Sequence, residues 1–200
     1  MSRVTCHMSI SLDGFVAGPD QSADNPLGIG GMDLHYWHLK SDDPVDLAFK
    51  DSLLAPKGAY VMGRNMFGPI RGEWEGDWRG WWGDEPPYHA PVFVLTHYER
   101  EPIEMEGGTT FHFVTTGFDD ALAQAKEVAG DAEVDIAGGA SAARQGLAAN
   151  AIDELVLNIA PVLLGRGERI FDETITTKLE QTEVGHSPNA THIRYRVVRD

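Results

Sequence analysis

The chain has 200 residues, a length that suits one domain and can bury a core without disulfide or metal staples. Hydrophobic residues make up 42% and charged residues 24%, a globular composition that argues against global disorder. The 31 acidic and 16 basic residues leave a net charge of -15, which repels phosphate backbones and anionic lipid; nucleic-acid and membrane partners are not expected, whereas a small anion held by local arginines is compatible with it.

One cysteine, Cys6, excludes an intrachain disulfide and, lying in an apolar run, reads as a buried strand residue. The turn pair Asp13-Gly14 interrupts the N-terminal segment before a signal-peptide core develops, and no apolar run approaches ~18 residues. A cytoplasmic protein is expected.

Residues 3–10 are rich in β-branched and apolar side chains and predict a first strand, closed by Asp13-Gly14. Residues 18–33 read as loop. Helical spacing of Leu47, Phe49, Leu53 and Leu54 predicts a helix over 46–55, stopped by Pro56. Residues 59–62 form a short buried strand ended by Gly63. Residues 71–90 carry glycines, prolines and Trp74, Trp78, Trp81 and Trp82 without a helical or strand period. Strands are predicted at 91–96 and 111–114. A helix over 118–129 follows, with Thr115 or Thr116 placed to cap it and Leu122, Ala125 and Val128 in its apolar stripe. A strand over 134–137 runs into Gly138-Gly139, then a helix over 140–149, then a strand over 154–160. At the C-terminus Ile193, Tyr195 and Val197 alternate with Arg194, Arg196 and Val198, the pattern of a half-exposed antiparallel strand.

Strands alternating with helices in one domain predict an α/β fold with a mostly parallel central sheet. In such sheets ligands sit beyond the carboxyl ends of the strands. That rule selects residues 11–17, 63–66, 96–97 and 138–142. Met62-Gly63-Arg64-Asn65 offers a sharp turn and a planar cationic fork suited to phosphate, or a plain turn with a solvated arginine. Ile136-Ala137-Gly138-Gly139-Ala140-Ser141-Ala142 sets two glycines before a helix N-terminus, an anion site or a device for tight strand-to-helix packing. It is neither G-x-G-x-x-G nor a P-loop. Asp13 lies near the same mouth, although Asp-Gly is also a common turn. His35 and His38 share a helical spacing, but no third ligand at fixed spacing supports a metal. The tryptophans at 71–90 read as packing, or as a substrate wall; the acidic residues among them disfavour nucleic acid.

Taken in order, these segments resemble the dihydrofolate-reductase-like superfamily. The resemblance is nearest to its branch related to the C-terminal reductase domain of the bifunctional riboflavin-biosynthesis deaminase–reductase. It rests on Ser11-Leu12-Asp13-Gly14-Phe15-Val16-Ala17, Val61-Met62-Gly63-Arg64, Val94-Leu95-Thr96, Gly138-Gly139, Ile152-Asp153-Glu154-Leu155 and Ala160 to Gly167. It implies a three-layer fold, a mostly parallel sheet ending in an antiparallel hairpin, and NADPH as cofactor. By position it places Arg64, with Gly63, Asn65 and Met66, at the cofactor's phosphates, and Thr96 and His97 at the adenine ribose end. Gly138 and Gly139, often joined by a cis peptide in the family, would meet the pyrophosphate with Ala140, Ser141 and Ala142. Val16 and Ala17 would line the nicotinamide, with Asp13 on the substrate side. Met66 replaces the family's usual threonine, and the loops at 18–38 and 71–90 do not match dihydrofolate reductase.

The resulting expectation is an NADPH-dependent reductase that passes hydride to a C=N or C=O carbon of a small pterin- or ribityl-pyrimidine-like substrate, with Asp13 as a substrate contact and Trp37 as a wall. No proton donor is legible. The alternatives are a nucleotide-binding or ligand-sensing module without catalysis, and a metal hydrolase using His35 and His38. The resemblance also implies a homodimer paired through its sheets. The long apolar run 154–164 and the exposed row of the C-terminal strand are read as surface that such pairing would cover.

Overall fold

In the computed structural model, which describes residues 2–69, 71–172 and 175–199, the elements follow in chain order. They are β1 (Val4–Ser11), β2 (Phe15–Ala17), a 3₁₀ turn (Gly31–His35), α1 (Tyr36–Leu39), α2 (Pro44–Leu54), β3 (Ala59–Gly63), α3 (Arg64–Phe67), β4 (Pro91–Leu95), β5 (Ile103–Glu104), β6 (Thr110–Val114), α4 (Phe118–Ala129), β7 (Val134–Gly138), α5 (Ala140–Ala148), β8 (Glu154–Ala160), β9 (Glu168–Arg169), β10 (Lys178–His186) and β11 (Thr191–Val198).

The main sheet has the order β10-β11-β8-β1-β7-β3-β4-β6-β5, and a second, two-stranded sheet joins β2 to β9. From β8 through β6 every pairing is parallel; β10, β11 and β5 are antiparallel to their neighbours. The expected mostly parallel sheet with a C-terminal antiparallel hairpin is present.

Strand periodicity explains the two faces. Along β1, Val4, Cys6, Met8 and Ile10 enter the main apolar core with Ile136 of β7, Leu155 of β8 and the inner faces of α4 and α5. Thr5, His7 and Ser9 alternate with them and lie on the opposite face. Cys6 is buried, as expected. The small residues of α5 let it approach the sheet closely: a Cβ at Gly146 would sit 2.6 Å from Ile136 Cδ1. The other face is covered in two places. Trp37 and Phe49, from α1 and α2, pack over Val156 of β8, while Phe67, Tyr88 and the tryptophan loop pack over Met62, Val92 and Phe111 of β3, β4 and β6. Between these two covers the sheet is open.

Several local expectations are corrected. α2 begins earlier than predicted, because the Asp43 carboxylate accepts from Val45 N at 2.8 Å and Pro44 takes the first helical position. Leu47 and Leu54 of that helix are exposed. Neither Thr115 nor Thr116 caps α4; the cap is Gly117, and the Thr116 hydroxyl donates to Asp120 instead. Val128 lies outside the buried stripe at 54% exposure. Of the apolar run 154–164, the part in β8 is buried between β11 and β1, whereas Leu163 beyond it is 72% exposed. β11 is likewise internal, and β10 is the edge strand.

Candidate functional site

The uncovered strip of sheet and the carboxyl ends of β3, β4 and β7 form one cleft of about 1010 Å³. Topology concentrates the strand-end residues there. Gly63 ends β3, and Arg64, Asn65 and Met66 open α3 on its rim; Thr96 and His97 follow β4; Gly138 and Gly139 close β7, and Ala140, Ser141 and Ala142 start α5; Val16 and Ala17 of β2 form the facing wall. All thirteen residues expected on the cofactor side therefore line one cavity.

Its cationic end is built around Arg64. Nη1 donates to Thr96 Oγ1 at 2.8 Å and Nη2 to the Gly72 carbonyl at 2.8 Å. The guanidinium lies 3.3 Å over the Trp74 ring. Its Nε is buried with no partner, so the fork retains an unused donor. Burial, reinforced by the positive charges of Arg71 and Arg100, pushes the Arg64 pKa down. Arg71 lines the same cleft.

Across from Arg64 lies the start of α5. Its N-cap is Gly139, and no side chain caps it, so the first N–H groups of the helix are left for a ligand. The Gly138–Gly139 peptide is cis. Gly138 has φ +117, a value closed to most side chains, and a Cβ there would also meet Met66 Sδ at 3.3 Å. A Cβ at Gly139 would meet nothing within 4 Å: that position faces open space at the helix start. An unused guanidinium donor, a free helix N-terminus and an open glycine cradle make a site that can hold a phosphate-bearing ligand.

The other end is polar but largely uncharged. His7, Ser9, Tyr60, Asp135 and Asn158 rise from β1, β3, β7 and β8 into the cleft, and His35 and His38 close it from above. Burial pushes His7 down to about 3, assisted by Lys57, and its Nδ1 is buried without a partner. Burial pushes Asp135 up to about 6, although Thr5 Oγ1 donates to it at 2.6 Å, and pushes Tyr60 up to about 12. Asn158 Oδ1 is 2.8 Å from His192 Nδ1, whose Nε2 is 2.8 Å from Asp46 Oδ1, so a buried network fixes the amide. The only early pointer to this floor is the alternation Thr5, His7, Ser9 along β1, a polar row facing away from the core.

Two expected substrate residues are placed elsewhere. Asp13 does not line the cleft. Its carboxylate accepts from Ser11 Oγ, from Leu164 N at 3.1 Å and from Gly165 N at 2.7 Å. The Ser11 hydrogen bond, with these amides, lowers its pKa to about 2. Asp13 is a clamp between two loops. Trp37 is 1% exposed and forms no wall; its Nε1 donates to Ser9 Oγ at 2.9 Å and pins α1 onto β1. Trp74, Trp78 and Trp82 of the tryptophan loop pack against the core, and Trp81 and Trp82 line the cleft. No group of three or more His, Cys, Asp or Glu that could hold a metal occurs among the described residues, so the metal-hydrolase alternative lacks a donor set. A second depression, over Arg3, Glu154, Glu183 and Arg194, is open and its charges are paired with one another.

The fold and cleft define an α/β protein of the dihydrofolate-reductase type, with a cationic end and a polar pocket on one sheet. The chain belongs to the RibD C-terminal domain family, whose model matches residues 2–193. A search of curated proteins finds no match. Among solved structures, a Shewanella sp. PV-4 protein described as a riboflavin biosynthesis protein is 24% identical over 98% of this chain and 99% of its own, with a TM-score of 0.68. The riboflavin biosynthesis reductase of Saccharomyces cerevisiae is 14% identical over 99% and 89%, with a TM-score of 0.55. A Thermotoga maritima diaminohydroxyphosphoribosylaminopyrimidine deaminase/5-amino-6-(5-phosphoribosylamino)uracil reductase is 13% identical over 98% of this chain and 57% of its own, with a TM-score of 0.58. At these identities the structures establish a shared fold.

Proposed function

We propose that the protein is an NADPH-dependent reductase acting on a C=N or C=O carbon of a small heterocyclic, ribityl-pyrimidine-like substrate. The observation that carries this reading is the pairing, in one cleft, of Arg64 with the free N-terminus of α5 and the open cradle at Gly139. Family membership and the reductases among its structural relatives favour an oxidoreductase over a sensor.

The residues fit the cofactor. Arg64, beside Thr96, would hold a phosphate through its unpartnered Nε; Gly139 and the first N–H groups of α5 would hold the pyrophosphate; Val16 and Ala17 would pack on the nicotinamide. When bound, NADPH supplies the hydride. The chain's own work is orientation and water exclusion. The neutral row His7, Ser9 and Asn158 offers donors and acceptors to the uncharged ring and polyol parts of such a substrate, and Leu39, Leu53 and Leu54 shield it. Calorimetric titration with NADPH and NADH tests the reading: tighter NADPH binding, with competition by 5-amino-6-(5-phosphoribosylamino)uracil absent or weak, is expected. Equal or undetectable binding of the two cofactors would overturn it.

A further inference from the structure

The cleft wall at residues 31–39 holds an arrangement that phosphate binding does not use. His35 Nδ1 lies 2.9 Å from His38 Nε2, and the rings meet edge to face at 5.1 Å. Both residues line the cleft. His35 Nε2 is buried and has no partner. The other two such side-chain atoms among the described residues, His7 Nδ1 and Arg64 Nε, also belong to residues lining this cleft. A buried polar atom without a partner is expensive to maintain, and its concentration in one cavity points to a ligand that satisfies it.

A neutral imidazole carries one N–H and one lone pair, so the shared hydrogen bond fixes the state of the inner nitrogen. When His38 Nε2–H donates to His35 Nδ1, His35 Nε2 bears a proton and is a donor. When His35 Nδ1–H donates to His38 Nε2, His35 Nε2 is bare and accepts. Reversing that one hydrogen bond moves a proton from His38 Nε2 to His35 Nδ1 and, with both rings neutral, goes together with release of the proton on His35 Nε2. Both rings are held neutral: burial, and then the repulsion that a charge on each ring's neighbour exerts, pushes His35 and His38 down to about 4. For His35 the neighbour is His38; for His38 it is Lys50 of α2.

We infer that His35 and His38 form a tautomeric proton relay that delivers, from solvent to the substrate, the proton that accompanies reduction. This rests on the reductase reading above. NADPH, when bound, would supply the hydride with its electron pair to the substrate C=N or C=O carbon and become NADP+. The π electrons of the double bond move to its nitrogen or oxygen, which takes the proton from His35 Nε2. His35 Nδ1 takes the proton of His38 Nε2, and His38 Nδ1 takes one from water. Both imidazoles end neutral with tautomers exchanged. After product leaves, water entering the cleft protonates His35 Nε2 and the chain runs outward to restore the first state. His35 would touch substrate; His38 is a positioning residue that acts through it.

Nitrogen NMR of the histidine rings tests the relay in the cofactor-free protein. At neutral pH both rings should be uncharged, each averaging between its two tautomers. A cationic ring, or a His35 locked with its proton on Nδ1, would overturn the inference. Kinetics with NADPH and 5-amino-6-(5-phosphoribosylamino)uracil supply the second arm. His35→Gln should lower kcat by about 10²-fold, the usual scale of general acid catalysis. His38→Ala should lower kcat with KM unchanged, abolish the solvent deuterium isotope effect on kcat, and recover with millimolar imidazole. A His38→Ala enzyme with unchanged kcat, or one that loses kcat without imidazole rescue while keeping the isotope effect, would refute the relay. A wild-type protein that oxidises no NADPH with this substrate or with other C=N and C=O heterocycles overturns the reductase reading and with it the proton's destination, whereas the tautomer measurement decides by itself whether the two rings can exchange a proton.

Discussion

Arg64 Nη1 donates to Thr96 Oγ1 across 2.8 Å, tying the residue after β3 to the residue after the adjacent strand β4. The guanidinium so held lies 3.3 Å over the Trp74 ring, and its Nε is left unpartnered. Two neighbouring parallel strand ends thus fix one cationic plane at the cleft rim, and the cofactor reading depends on that plane.

Arg64→Ala should weaken NADPH by ~1.5–3 kcal/mol, the range of a hydrogen bond to a charged group, and narrow the preference over NADH. Titration calorimetry checks it. Equal affinities for the two cofactors, unchanged in the variant, would show that Arg64 is a structural residue.

The two glycines of the β7–α5 unit should behave oppositely. Gly139→Val points into open space, so the fold should survive while cofactor binding is lost. Gly146→Val drives a side chain into Ile136 and should cost about 1–3 kcal/mol of stability, as overpacking does, with cofactor affinity retained in the folded fraction. Thermal melts with and without NADPH separate the outcomes. Near-normal affinity in Gly139→Val would mean that the glycine pair serves packing alone.

Asp13 should act on acid stability. Its carboxyl titrates near 2, below the ordinary 3.8, because Ser11 and two loop amides favour the charged form. A lowered folded-state pKa means the contribution is complete above the ordinary value and is lost as pH falls from there through about 2. Asp13→Asn should therefore lower stability at neutral pH and flatten the acid limb, with NADPH affinity unchanged. Denaturant melts across that window check it; an unchanged acid limb would contradict the clamp.

We propose that the chain pairs into a homodimer through the face of β10 and β11 that no helix covers. Leu179 is 37% exposed and Val184 50% exposed, beside the half-buried Ile193 and Tyr195. Light scattering at micromolar concentration should give twice 21.9 kDa, and Val184→Glu should give the single mass. A monomer in the unsubstituted protein would reject the pairing.

That the strand-end residues share one cleft was legible because short-range rules determine it. Apolar runs such as 91–95 end at recognisable breakers, and parallel topology then gathers those ends in one place. The substrate side was less legible because long-range contacts determine it. Trp37 resembles a wall residue in sequence, yet Ser9, distant in the chain, draws it into the core. Asp13 resembles a cleft carboxylate, yet the 164–165 amides capture it. β2 escapes notice because it is three residues long and pairs with β9 far along the chain. His35 and His38 stood out as a pair, but the 3₁₀ turn and α1 that bring their rings together have no strong periodic signal.

The most direct test of the reductase is hydride transfer itself. Wild-type protein is mixed with 5-amino-6-(5-phosphoribosylamino)uracil and NADPH carrying deuterium at the transferable nicotinamide position, and the product is analysed by mass spectrometry. The account predicts NADPH oxidation with one deuterium bound to the reduced carbon of the product. NADPH that binds but is neither oxidised nor a source of deuterium, with this substrate or with other C=N and C=O heterocycles, would contradict it and identify a nucleotide-binding module.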